Sequence, residues 1–252
     1  MESSIHDDFE RAWKYLQHHG DSEKALQEVM SLRDVPDYMV NGYRRMELTI
    51  VPEDFSVEQL KKLPNFKDMG LLNKDGSFLL KGRYIFPVKS ATGKILALIG
   101  WFPDVKKYIT TPSKYFSKST LFYGMEQWGK GRLKFSFLVE GIFDRISLNA
   151  LGVPAMATMG VTVGPVKQRM YPLLGQFVAI PDRDKTGSSV ISSDAWNLPR
   201  KGKYLRLKSS SGKESDSIKD IDDLCKMAEP RQVQQILVES LKSHKRIESL
   251  II

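Results

Sequence analysis

Cysteine is almost missing from this chain: Cys225 stands alone among 252 residues, which excludes an intramolecular disulfide. Histidine is nearly as scarce. His6, His18, His19 and His244 are the full set, and with a single thiol beside them they cannot assemble a zinc ribbon. Long apolar runs are also absent. No stretch approaches the roughly 18 to 20 residues of a membrane-spanning helix, and the N-terminus MESSIHDDFERAW is polar rather than signal-like. The expectation is a soluble protein of the cytoplasm with no membrane partner. A Walker A phosphate loop is lacking too, because the Gly93-Lys94 pair has Val88 where the first glycine would stand.

What is present reads as an ordinary folded protein. Hydrophobic residues make up 41% and charged residues 27%, close to globular averages, and 252 residues allow one large domain or two smaller ones. The net charge of +8 is unevenly spread. Between Lys81 and Lys134 eleven Lys and Arg face two acids, Asp104 and Glu126, a surplus of nine that leaves −1 for the remainder. The same segment holds ten aromatics, among them Tyr84, Phe86, Trp101, Tyr108, Tyr115 and Trp128. Cationic side chains attract phosphates and aromatic faces stack on bases, so this mixture suits a single-stranded nucleic-acid surface.

Periodicity divides the chain. Residues 1 to about 75 read as mainly helical, with Phe9, Trp13, Leu16, Leu26, Val29, Met30 and Leu32 at helix-like spacing. Ser56 stands three residues before Gln59 as a capping box, and Pro64 ends that run. Asn73 to Gly76 reads as a turn. From Arg83 the period changes: RYIFPV and KILALIGWF are β-rich runs joined by Ala91-Thr92-Gly93 as a hairpin, and Val105 to Trp128 reads as irregular. Beyond Lys134, FSFLVEG, VPAMATMG, FVAIPD and KYLRLK alternate with helical stretches, which implies a parallel or mixed sheet covered by helices. The tail from Pro230 reads as helical, with the proline in the first turn. The expected division is an N-terminal subdomain 1–132 (helical 1–75, basic and β-containing 81–132), a catalytic domain 133–228 and a C-terminal helical segment 229–252.

Acidic residues sit at strand ends. Glu140 closes FLVEG, at the carboxyl edge where open α/β sheets place their sites. FVAI runs into Pro181-Asp182-Arg183-Asp184, whose two carboxylates at i and i+2 point the same way along extended chain. A third cluster, Lys219-Asp220-Ile221-Asp222-Asp223, follows KYLRLK. Hard oxygen ligands gathered from separate strand ends suit Mg²⁺ or Mn²⁺ and the neutralisation of a triphosphate. Cys225, beside Leu224 in a helical stretch, reads as a buried apolar residue.

LVEGIFDRISLNALG, VPAMATMG, AIPDRDKTG and KDIDDL together resemble the TOPRIM domain of bacterial-type (DnaG-like) and phage DNA primases. Upstream, GRYIFPVKSATGKILALIGW and KKYITTPSKYFSKSTLFYG resemble the small subdomain that precedes TOPRIM in those enzymes, so the likeness covers roughly residues 55 to 225. The resemblance implies an α/β fold, α+β overall, with a mixed, largely parallel sheet behind a smaller helical and β-containing subdomain. It implies a DNA-directed RNA polymerase that makes short primers from ribonucleoside triphosphates on single-stranded DNA with Mg²⁺ or Mn²⁺. Glu140 would be the essential acid, and Asp182 and Asp184 the principal metal ligands. Asp144 would support them, and Asp220 would hold the third acidic position with Asp222 as a nearby candidate. Arg83, Lys107 and Lys118 fall on phosphate-contacting positions, Tyr108 follows Lys107, and Lys106 adjoins them. One departure is Trp101 after Gly100, where an arginine is usual. Without a zinc module the chain reads as an isolated or trimmed core whose partners would include a replicative helicase and a separate zinc-binding module, in a bacterial cell or a phage-infected host. Two other classes share these features: a TOPRIM nuclease, and a non-catalytic replication adaptor that has kept the fold.

Overall fold

The computed structural model describes residues 4–103, 107–112, 116–130, 135–160, 162–182, 203–208, 218–242 and 247–251. The chain divides into two compact units, one formed by Met1–Val35 with Arg44–Ser117, the other by Pro36–Tyr43 with Lys118–Ile252. Among the described residues no helix is long and apolar enough to cross a membrane.

In the first unit, α1 (Ile5–His19) begins at Ser4, whose hydroxyl accepts the Asp7 N–H at 3.2 Å while the Asp7 carboxylate accepts the Ser4 N–H at 3.2 Å. Its buried stripe of Ile5, Phe9, Trp13 and Leu16 shares one core with Ile85, Ile95 and Leu98. α2 (Ser22–Leu32) is capped by Asp21 and buries only Ala25 and Val29. β1 (Tyr84–Lys89), β2 (Ile95–Phe102) and β3 (Lys107–Thr110) form an antiparallel sheet in that order, with Gly93 at φ +82 turning the first hairpin.

Two expectations for this unit need correction. Residues 44–75 hold no α-helix, only 3₁₀ turns at Leu60–Lys62 and Phe66–Met69. Ser56 accepts the Glu58 N–H rather than that of Gln59, so no capping box forms. This stretch is held instead by the buried Asp8 of α1, whose carboxylate accepts both the backbone and side-chain N–H of Asn65 at 2.9 Å. The segment from Val105 is not wholly irregular either, since β3 pairs with β2 through Trp101↔Tyr108 and Phe102↔Lys107.

The second unit contains α3 (Asp37–Tyr43), β4 (Phe135–Val139), α4 (Ile142–Ala150), β5 (Ala155–Ala157), α5 (Pro165–Gln168) and β6 (Gln176–Ile180). β7 (Lys203–Lys208), α6 (Ile221–Met227), α7 (Pro230–Lys242) and β8 (Ile247–Ile251) follow. Among the described residues the strands form one parallel sheet in the order β5-β4-β6-β7-β8. β4 and β6 are buried after their first residue, as apolar strands covered on both faces must be. The tail is a further correction. α7 ends at Lys242 and the β-branched run that follows forms β8, which pairs with β7 and completes its hydrogen bonding.

The connection from β4 leads to β5 on one side, and that from β6 leads to β7 on the other. The order of connections therefore reverses between the parallel strands β4 and β6, and the crevice outside their carboxyl ends is where open sheets accept ligands. α3 supports the helix behind this crevice at very close range. A Cβ on Gly42 would lie 2.2 Å from the Ala150 Cα and 2.3 Å from its Cβ. Gly42→Ala should therefore destabilise the protein by about 2 kcal/mol, overpacking outweighing the roughly 1 kcal/mol gain in helix propensity. Urea unfolding at or above the wild-type midpoint would show that α3 does not pack on α4 this closely.

Candidate active site

Glu140 directly follows β4, and Asp182 stands two residues beyond β6; the register Val139↔Ile180 brings the two strand ends side by side. Gly141 then starts α4. Its N–H donates to Asp144 Oδ2 at 2.8 Å, and a Cβ at Gly141 would come within 2.5 Å of that oxygen, so a larger residue would displace the Asp144 carboxylate from this turn. The other oxygen of Asp144 accepts the Asp222 N–H at 3.2 Å. Asp144 is buried, and its carboxyl is held well above the usual carboxylate range, first by burial and then by the charges of Asp220, Asp182 and Asp222. The acids at the end of β6 and in and before α6 therefore lie within electrostatic reach of Asp144 in α4. Asp184 lies outside the described residues.

The structure separates the roles of Asp220 and Asp222. Asp220 caps α6, its Oδ1 accepting the Asp223 N–H at 2.8 Å, and remains half-buried. Asp222 is fully buried. Its Oδ2 is ion-paired to Lys226 Nζ at 2.7 Å, and its Oδ1 accepts from Ser147 and, at 3.4 Å, from Tyr43. Tyr38 of α3 also donates to the carbonyl of Cys225 and, at 3.2 Å, to that of Ala228. Cys225 itself is buried, and burial pushes its thiol up, so it is an inert core residue. The Tyr43–Ser147–Asp222–Lys226 network escaped the sequence reading. Its one signal was the i, i+4 spacing of Asp222 and Lys226.

Of the basic candidates, Arg83 stands just before β1 with its guanidinium 5.6 Å from the Phe102 ring centroid, and its Nη1 is buried with no hydrogen-bond partner. Tyr108 of β3 lies opposite Trp101, which in turn packs 5.5 Å from Tyr84. Lys107 begins β3 opposite Phe102, while Lys106 lies outside the described residues. Lys118 belongs to the second unit, is half-buried, and its ammonium is depressed by that burial. Arg83, Lys107 and Tyr108 thus come from the first unit and Lys118 from the acid-bearing unit.

As for a cation, the donor set is hard and anionic, which fits Mg²⁺ or Mn²⁺ and not zinc. Among the described residues no ready-made group of three ligands is assembled.

Residues 137–225 match the Toprim-like family model, so the acids lie within a Toprim-like domain. No curated protein sequence matches the chain. The fold as a whole is that of DnaG primase catalytic cores. The Escherichia coli primase catalytic core superposes with a TM-score of 0.73 at 15% identity, over 94% of this chain and 80% of that one. A DnaG primase catalytic domain bound to single-stranded DNA gives 0.72 at 16% identity, over 93% and 80%. The Aquifex aeolicus primase, comprising zinc-binding and RNA polymerase domains, gives 0.72 at 19% identity, over 93% of this chain and 60% of that one.

The Asp222–Lys226 pair yields a test of the framework. Lys226→Met leaves a buried carboxylate without its counter-ion and should destabilise the protein by about 3 kcal/mol, with most of the loss recovered in Lys226→Met/Asp222→Asn. Urea unfolding of the two variants checks this; equal losses in both would mean that charge pairing is not what holds α6.

Proposed function

We propose that the chain is the catalytic core of a DNA primase, which synthesises short RNA primers from ribonucleoside triphosphates along single-stranded DNA. The observation that carries this reading is the gathering of Asp144, Asp182, Asp220 and Asp222 beside Glu140 at the β4/β6 reversal of a DnaG-type fold. Such a concentration of negative charge opposes folding by its own repulsion and is retained where cations must be held.

Glu140, Asp182 and Asp184 would hold Mg²⁺ or Mn²⁺. Asp144 orients the turn after Glu140 through the Gly141 N–H, and Asp220 borders the same site. Asp222, already engaged by Lys226 and Ser147, anchors α6 beneath them. The bound ion supplies activation of a primer 3′-hydroxyl and neutralisation of the departing pyrophosphate. Arg83, Lys106, Lys107 and Lys118 would neutralise phosphates, and Tyr108 would stack on a base. One of the similar structures is a complex with single-stranded DNA and another carries a zinc-binding domain, which supports a template partner and a separate zinc module. A helicase partner follows from the same reading.

Asp182→Ala and Asp184→Ala should each abolish incorporation of labelled ribonucleotides under both Mg²⁺ and Mn²⁺. The melting temperature should stay level or rise, because one of several clustered like charges is removed. Synthesis near the wild-type rate in either variant would refute the metal-site assignment. Metal-dependent cleavage of the template without ribonucleotide incorporation would favour a nuclease instead.

Template affinity should reside largely in segment 81–134 and weaken with salt at a log–log slope of about −0.7 per phosphate neutralised. Charge reversal at Lys106 and Lys107 is expected to lower both affinity and slope for an oligonucleotide in fluorescence anisotropy. Unchanged values would move the template path elsewhere.

A further inference from the structure

The backbone on both sides of Glu140 is held by the turn that follows β5. The Val139 carbonyl, in the peptide before Glu140, accepts the Thr158 N–H at 2.8 Å, and the Glu140 carbonyl, in the peptide after it, accepts the Met159 N–H at 3.0 Å. With both flanking peptides fixed, the two soft dihedrals of Glu140 are fixed, and so is the direction in which its side chain leaves the strand. This turn is not an easy one. Met159 adopts φ +60, a left-handed conformation that a residue with a Cβ keeps only where its surroundings impose it. The Thr158 hydroxyl donates to the Gly160 carbonyl at 2.7 Å across the turn, and the Thr158 carbonyl accepts from the ammonium of Lys167 in α5.

Lys167 is the only fully buried lysine among the described residues. It sits 5.4 Å from the centroid of the Phe122 ring, and no carboxylate among those residues is paired with it. Burial lowers Lys167 to about 8, so the group stays mostly protonated at neutral pH. Burying an ammonium without an opposite charge is unfavourable, and a methionine would fill similar space without that penalty. A lysine in this place answers to something other than packing.

The hydrogen bonds around it run end to end. The Thr158 carbonyl and the Met159 N–H belong to one peptide unit, and the Glu140 carbonyl and the Gly141 N–H belong to another. Lys167 therefore heads a chain that passes through both units and closes on Asp144 Oδ2, which accepts the Gly141 N–H at 2.8 Å. In each unit the carbonyl receives and the N–H gives, so the dipoles align, and a cation at the head strengthens every bond down the line.

We propose that Lys167 is a positioning residue for Glu140: through the peptide of Thr158 and Met159 its buried ammonium holds the Glu140 backbone from the β5 side, as Asp144 holds it from the α4 side. This role rests on the reading of Glu140 as an acid that holds metal, and extends it to a side chain that acts through backbone alone.

The test uses the full chain with Mn²⁺ as the probe, without nucleotide or DNA, bound metal being followed by electron paramagnetic resonance. Lys167→Met should weaken Mn²⁺ about tenfold, the scale of a lost partner behind a ligand, while Lys167→Arg stays within about threefold of the wild type. Amide hydrogen exchange separates this from general loosening: in Lys167→Met the Met159 amide should exchange about tenfold faster, with the amides of β6 unchanged. Wild-type Mn²⁺ affinity in a folded Lys167→Met protein overturns the proposal. So does equal acceleration at Met159 and throughout β6, which would make Lys167 a support of the fold and nothing more. Should Lys167→Met fail to fold, the wild-type protein decides: a Met159 amide as protected as those of β4 is expected, and one that exchanges like an exposed turn overturns the proposal. Mn²⁺ binding that depends on Lys167 in a chain that incorporates no ribonucleotide would refute the polymerase reading and leave the positioning role standing.

Discussion

Carboxylates repel one another, and at the open end of β4 and β6 the chain holds several within electrostatic reach. The elements around that end are arranged to bear the strain of this repulsion. Hydrogen bonding inside the parallel sheet fixes where Glu140 and Asp182 emerge; Gly141 gives Asp144 room to fold back on its own turn, and Lys226 offsets Asp222 from within the same helix. Asp144 keeps an unrelieved share. Its folded-state carboxyl is raised above the unfolded value, so the folded state holds its proton more tightly than the unfolded chain does. Its contribution is therefore most favourable below the ordinary carboxylate range and is lost as pH rises through the raised value. Near neutrality the clustered acids are therefore a source of instability, and on the reading proposed above a cation would relieve it, which would link affinity for metal to stability of the fold.

The acid-bearing half was largely legible in the sequence. FLVEG and FVAIPD are short apolar runs that end in carboxylates, and a parallel strand covered on both faces can hardly be written otherwise. Glu140 and Asp182 follow directly from that pattern. Local pattern could not show what long-range contact decides. The stretch 44–75 has helix-like spacing but is drawn into irregular turns by Asp8, fifty-seven residues from its partner Asn65. IESLI continues a helical tail in one dimension, and only the vacant edge of β7 makes it a strand. Lys167 gave no sign at all. A lysine reads as surface, and its burial is set by the Thr158 carbonyl nine residues before it and by Phe122, which is distant in sequence.

The boundary between the two units shows the same limit. The division at about residue 132 expected from sequence follows composition, whereas the units follow contact, and Pro36–Tyr43 is part of the second although it lies far upstream in the chain. Tyr38 and Tyr43 explain why. Their hydroxyls end on the backbone of α6 and on the Ser147–Asp222 pair, so this short helix closes the back of a site whose acids come from residues a hundred and more positions later.

β8 gives the parallel sheet its last strand from a handful of residues near the C-terminus. Proteins that keep an outermost strand on so short a tether have a built-in route to self-association. If β8 peels away, the backbone of β7 becomes a template, and the matching strand of another molecule can add to it as readily as its own. Heat would then be felt as exchange of strands between molecules.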